Sequence, residues 1–304
     1  MGKKIIHISA FITAILFVCL VSVSSAFDSV QGKPIEFESP EHTFIAVTTI
    51  GEATGACYDP DTGRHVMRRG AFVIQGSGFV LDDGIVLTAA HVIHPSSVKI
   101  MIESNYFYIT RSVGIIWKKT YLSVDTGGRL DVLEEAITAE ITYMDRMTDV
   151  ALLKYDAKAC TVFQPSPYKL QATTSYHPMY GPFENLGISN PVAMYVHQRD
   201  EEGERLVRQF EVRHGKVISP RPISRFPEIL QWLETSDFTI DAKVIPGDSG
   251  SPVFAWMNGE PIIIGIARAR EVIVPFGFDF EGAWAYATKI DVVMAIIEAQ
   301  TAVS

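Results

Sequence analysis

Residues 71–93 read AFVIQGSGFVLDDGIVLTAAHVI. Two apolar runs flank a Gly-Ser-Gly, and Asp83-Gly84 is a strong two-residue hairpin signal. The second run, Ile85-Val86-Leu87-Thr88, reads as a strand that ends in Ala89-Ala90-His91. Small alanines leading to a histidine at a strand end suit a side chain that must sit against a packed wall and still face a cleft. A histidine is more often a structural or surface group, and most of the eight here are expected to be so. His94 lies three residues on, but no third ligand is near enough to make the two a metal site.

Working outward, the chain on both sides is rich in short β-type runs. Thr43–Ile50 is β-branched and reads as a strand. Cys57–Gly70 carries Asp61-Thr62-Gly63 with Arg64, Arg68 and Arg69, and reads as a loop. Downstream, Val98–Ile102, Tyr106–Ile109 and Ala139–Tyr143 are further β-rich stretches, with a turn at Asp125-Thr126-Gly127-Gly128. Asp149 stands directly before Val150-Ala151-Leu152-Leu153, at the mouth of an apolar strand. A carboxylate there needs a hydrogen-bond partner such as an imidazole N–H. The plain reading is a strand-initiating turn aspartate, and Asp145 is the local competitor.

Prolines 165, 167, 178 and 182 mark a connection between two halves. The second half opens with a hairpin, Val192–His197 and Leu206–Arg213, around the charged tip Asp200–Glu204. Pro261–Ala267 and Trp284–Ala287 read as strands, and Ile290–Ala299 has helical spacing. Between them lies Gly247-Asp248-Ser249-Gly250-Ser251-Pro252. Its glycines permit positive φ and close backbone approach. A turn that gathers successive N–H groups beside a hydroxyl is what acyl transfer needs at its nucleophile. The alternative is an ordinary Gly/Ser-rich hairpin turn.

The N-terminal segment stands apart. Lys3 and Lys4 precede an apolar run from Ile5 to Val23, and Ser24-Ser25-Ala26 supplies small residues at a cleavage position. Residues 1–26 therefore read as a secretory signal peptide, with a retained membrane anchor as the rival, and residues 27–304 as the mature domain. Export to the cell exterior or periplasm follows, with no stable membrane association after cleavage. Of 304 residues, 47% are hydrophobic, enough for a large core, and the formal net charge is −9. Without residues 1–26, 24 basic side chains face 35 acidic ones. That balance excludes nucleic acid and anionic lipid as partners, since both demand a basic face. Cys57 and Cys160 remain as a possible disulfide, if their Cα atoms lie close enough. No CxxC or HExxH is present, so neither a metal nor another cofactor is expected.

Three motifs together, Leu87-Thr88-Ala89-Ala90-His91, Asp149-Val150-Ala151-Leu152-Leu153 and Gly247-Asp248-Ser249-Gly250-Ser251-Pro252, resemble those of the chymotrypsin-like, trypsin-fold serine peptidases. Their order is His, Asp, Ser, spaced by 58 and 100 residues, and order distinguishes this family from unrelated serine hydrolases. The resemblance covers roughly residues 43–299 and implies an all-β fold. Two packed antiparallel β-barrels, each of the six-stranded type, would meet at the site, over about 43–164 and 183–289, with a short closing helix at 290–299. The family is itself the type case of the triad, so it also implies roles. Ser249 would be the nucleophile, His91 the general base and acid, and Asp149 the group that orients His91. The backbone N–H groups of Gly247 and Ser249 would form the oxyanion hole, and the substrate would be a protein or peptide.

The chain also departs from the animal digestive members. No cysteine directly follows His91 or flanks Ser249, and no Ile-Val-Gly-Gly activation sequence is visible, which leaves the partner of Asp248 open. Both features look more like the exported bacterial branch, of HtrA or glutamyl-endopeptidase type, although no PDZ domain is expected after the closing helix. The family's pocket is walled by the strand after the nucleophile and floored by the residues before it. Those segments contain Lys243, Gly265, Ala267, Arg268 and Arg270, whose cations would suit an acidic side chain or would simply be displayed on the surface. Two further classes are a catalytically inactive trypsin-fold binding protein and an α/β-hydrolase. The latter requires Gly-x-Ser-x-Gly, and position 251 is serine.

Overall fold

The computed structural model describes residues 43–301 apart from 60–61, 83, 103–104, 124–135, 161–162, 168–169, 171–190, 203–204, 220, 224–236, 243, 245–246, 258–259 and 274–279. The signal segment, the 125–128 turn and most of the proline-rich connection lie outside the described residues. The first half begins with β1 (Phe44–Asp59) and β2 (Arg64–Asp82), whose register runs unbroken from Phe44 opposite Phe79 to Asp59 opposite Arg64. The loop expected at Cys57–Gly70 is therefore a correction: most of that stretch is paired strand. Its charges are neutralised along the hairpin, Arg69 on Glu52 at 2.6 and 2.7 Å and Arg68 beside Asp59 at 3.8 Å. Its small residues Ala53 and Cys57 turn inward with Phe72, Ile100 and Ile109. A charged face on a strand buried on its other face reads as loop only when charge is weighed above alternation.

β3 (Ile85–Ala89) follows through the expected hairpin, and its Gly84 has φ +84°. Next come a single turn α1 (Ala90–Ile93), β4 (Val98–Ile102), β5 (Asn105–Ser123), β6 (Ile137–Asp145) and β7 (Val150–Lys154). The pairings β1-β2-β3-β7-β6-β5 return to β1, closing a barrel, while β4 bridges β2 and β5 at its far end. Its interior is filled by Ile45, Val47, Val80, Val86, Leu122 and Leu153. β3 and β7 lie side by side, Ala89 opposite Val150. This is the pairing that sets the end of one strand beside the start of the other, and so His91 beside Asp149.

The second half contains β8 (Pro191–Glu202), β9 (Arg205–Ser219), β10 (Asp237–Asp241), β11 (Pro252–Met257), β12 (Glu260–Ile273) and β13 (Phe280–Lys289). They close a barrel in the order β10-β13-β12-β11-β8-β9, and α2 (Ile290–Thr301) ends the described chain. Phe238, Ile240, Val253, Ile262 and Ile264 form its core. Fully burying one such aliphatic side chain is worth about 1.5–3 kcal/mol. The all-β, two-barrel architecture with a C-terminal helix is thus the one expected. The barrels touch through Phe44 and Phe254, edge to face at 6.0 Å. Neither Cys57 nor Cys160 is in a disulfide; both are buried thiols in different core clusters, Cys57 near the far end of the first hairpin and Cys160 under the main barrel.

Candidate active site

The turn before β11 is gripped from the first barrel by one residue of the Gly-Ser-Gly run. Ser77 donates its N–H to Ser249 O at 2.7 Å and its hydroxyl to Gly247 O at 2.9 Å. Its own carbonyl accepts from Thr88 Oγ1 at 2.7 Å. The second barrel holds the other side, through Gly250 N–H to Ala267 O and Ala267 N–H to Ser251 O, both 2.8 Å. Gly247 and Gly250 have φ +104° and +92°, the region that glycine alone enters cheaply. A Cβ on Gly250 would also lie 1.9 Å from Ser77 O. Gly250→Ala is therefore expected to push the turn off Ser77, lowering the unfolding temperature and abolishing any reactivity of Ser249. Thermal unfolding and active-serine labelling check both effects.

Gly76, next to Ser77, is equally crowded: a Cβ there would meet Val92 Cγ2 at 2.4 Å and Ser249 O at 2.8 Å. The missing side chain lets the α1 turn and the Ser249 turn approach each other. On α1, His91 is joined to Asp149 twice. Its backbone N–H donates to Asp149 Oδ1 at 2.8 Å, and Nδ1 lies 2.7 Å from Asp149 Oδ2. Ala90 N–H adds a bond to Asp149 O at 3.0 Å. Asp149 takes φ +58° to do this, a strained conformation for a non-glycine residue that the surrounding bonds must hold. An ionised carboxylate only accepts, so the proton sits on Nδ1 and Nε2 keeps its lone pair. Asp149 is 6% exposed and His91 39%, so the carboxylate is enclosed while the imidazole reaches solvent.

Ser249 is half-buried, and its hydroxyl donates to the Arg268 carbonyl at 3.3 Å. The same Arg268 places Nε 3.5 Å from Asp149 Oδ2, so one residue of β12 touches both the serine and the aspartate. Among the described residues, the N–H groups of Gly247 and Ser249 make no hydrogen bond. The residue between them, Asp248, is fully buried and accepts from Arg213 Nη1 of β9 at 2.5 Å. A buried carboxylate in the Ser249 turn thus has a cation from within the fold, the partner that the sequence left open.

The pocket positions fall elsewhere than expected. Gly265 faces the barrel interior, where a Cβ would meet Thr288 O and Phe238. Ala267 is fully buried in the same core and lends its backbone to the Ser249 turn. Arg268 is no cation held out for an acidic substrate: its guanidinium is committed to Asp149 and to the buried Asp237. Lys243 lies outside the described residues, as does the side chain of Arg270. Sequence reading missed Ser77, Arg213 and Asp237. Only Asp237 carried a usable signal, since it precedes Phe238-Thr239-Ile240 just as Asp149 precedes its own apolar strand.

His94, just beyond α1, is held below the ordinary imidazole range, first by burial and then by the charges of Lys118 and Arg146. The folded protein keeps it neutral where the unfolded chain would protonate it, so its contribution is intact above the ordinary range and is lost as pH falls through it. His94→Gln is expected to make the acid side of the Tm–pH curve measurably shallower, as read by calorimetry between neutral and mildly acidic pH.

Comparison with known proteins places this geometry. A model of the trypsin-like peptidase domain matches residues 76–266. No curated protein matches the chain. Among solved structures, the active form of the Rv3671c protease from M. tuberculosis is similar at 17% identity and a TM-score of 0.42, over 84% of this chain and 79% of that one. The family match runs from Gly76 beside the Ser249 turn into the strand that backs it, more than half of the sequence. The chain therefore belongs to the trypsin-like peptidases, and its fold is that of the trypsin-type serine peptidases.

Proposed function

We propose that the protein is an exported serine endopeptidase of bacterial type, acting through His91, Asp149 and Ser249. The observation that carries this reading is the pair of hydrogen bonds from His91 to a buried Asp149, with Arg268 joining that pair to Ser249. Rotation about the Ser249 Cα–Cβ bond turns Oγ from the Arg268 carbonyl toward His91 Nε2. As Oγ bonds to the substrate carbonyl carbon, its proton passes to Nε2 and Asp149 stabilises the imidazolium. The oxygen's new charge meets the N–H groups of Gly247 and Ser249, the arrangement that stabilises such an intermediate. The imidazolium then protonates the leaving amine, and water repeats the sequence in reverse to release the acyl group. Residues 1–26 supply the export signal, and the substrate is protein or peptide.

A second reading, a catalytically silent binding protein on the same fold, draws on the hydroxyl that points to Arg268 instead of His91. Labelling of the purified protein with a fluorophosphonate, mapped by peptide mass spectrometry, separates the two. Modification at Ser249 that is lost in His91→Ala supports the peptidase. Absence of modification in folded protein favours the binding protein. Sequencing of the exported protein's N-terminus at Phe27 tests the signal assignment.

A further inference from the structure

β12 is apolar from Pro261 to Ala267 and then carries Arg268. A cation at the end of such a run has to be paired, and this one is paired on both sides. Nε lies 3.5 Å from Asp149 Oδ2, the oxygen that also faces His91 Nδ1 at 2.7 Å. Nη1 donates to Asp237 Oδ2 at the start of β10. Asp237 is fully buried, and its other oxygen is 3.1 Å from Thr288 Oγ1, which also lies 2.9 Å from Thr148 O beside Asp149. A row of charges, His91–Asp149–Arg268–Asp237, therefore crosses from the first barrel to the second.

We propose that Arg268 and Asp237 are positioning residues for the His91–Asp149 pair, fixing the carboxylate from the opposite barrel and setting the charge balance in which His91 takes up its proton. This rests on the reading of His91, Asp149 and Ser249 as a triad. With neutral His91 the row carries one cation against two carboxylates. When His91 accepts the serine proton the row becomes neutral. Arg268 alone would cancel Asp149 and weaken its attraction for an imidazolium; Asp237 offsets that. Asp149 and Asp237 without Arg268 would leave two carboxylates in one buried space, which repel and overfavour a protonated imidazole.

Outside the row, Lys289 at the end of β13 interacts with Asp237 and Asp291, and Asp248 beside Ser249 is paired with Arg213; both stay unchanged in the variants below. β3, which packs on α1, has no ionisable side chain. β1 and β2 carry theirs from Glu52 to Arg69 and at Asp82, and β7 has Lys154 at its far end. His94, Lys118 and Arg146 gather at the other end of the α1 turn.

The test is the rate of fluorophosphonate labelling at Ser249 against pH, which requires no knowledge of the substrate. Arg268→Gln is expected to move the acid limb to higher pH and Asp237→Asn to lower pH, each by roughly one unit, the effect of a neighbouring charge at such range. The double variant should return the limb close to its wild-type position, although with slower labelling. Limbs that stay in place, or that move in the same direction in both single variants, overturn the proposal and leave Arg268 as packing. If Arg268→Gln does not fold, as read by thermal unfolding, Arg268→Lys serves: an unmoved limb with a lower plateau supports the proposal, and a moved one overturns it. A wild-type protein that is not labelled at all sinks the triad reading itself, and this inference with it. Labelling that occurs normally with unshifted variants sinks only the inference.

Discussion

Replacing Asp149 with asparagine is expected to lower kcat by about 10,000-fold, with folding largely retained. The carboxylate accepts from both the backbone N–H and the ring nitrogen of His91. An asparagine keeps only one accepting oxygen. If that oxygen stays on the His91 backbone N–H, the amide NH₂ faces Nδ1 and forces its proton to Nε2. The imidazole then has no lone pair for the serine proton, and the imidazolium loses its counter-charge. Steady-state kinetics on a peptide substrate, with KM reported separately, check this: the loss should fall on kcat. A loss confined to KM would mean that Asp149 shapes the cleft instead of orienting His91.

Arg213→Met is expected to damage both stability and rate, by a different route. Arg213 is 8% exposed and Asp248 0%, and removing one partner of a buried ion pair typically costs about 3–5 kcal/mol. Here the carboxylate that loses its guanidinium stands between Gly247 and Ser249, the two residues whose N–H groups would receive the oxyanion. Displacing one such donor costs on the order of 100-fold or more in rate. Denaturant unfolding should show the stability loss, and kcat/KM the loss of rate. A second substitution, Asp248→Leu, should recover stability without recovering activity, because removing both charges is milder than stranding one. An Asp248 paired from within the fold also needs no freed chain terminus, so protein retaining its lead-in residues should label as fast as trimmed protein.

The legible parts of this chain were those where local chemistry and tertiary demand coincide. Asp83-Gly84 announces the β2–β3 hairpin because that turn needs positive φ, and the strand it begins delivers His91 in one further step. Asp149 was legible because a carboxylate at the mouth of an apolar strand must find a donor. The long first hairpin was not, since Arg64 to Arg69 look like solvated loop until Glu52 and Asp59 are seen across the strands. The pocket residues failed for a related reason. Membership of the strand behind Ser249 does not say which way a position faces, and Gly265 and Ala267 face the barrel interior. Arg213 gave no signal at all. Its meaning arises only from the closing of β8, β9 and β11, which sets it against a residue 35 positions away.

The central claim, hydrolysis of peptide bonds by Ser249, is tested most directly by incubating an unfolded protein substrate with the purified enzyme and with Ser249→Ala. New peptide ends are then mapped by mass spectrometry. The expected result is a set of internal cleavages that accumulate with the wild type and are absent with the variant. Cleavages that persist in Ser249→Ala, or none from a folded wild-type protein that labels at Ser249, would contradict the account.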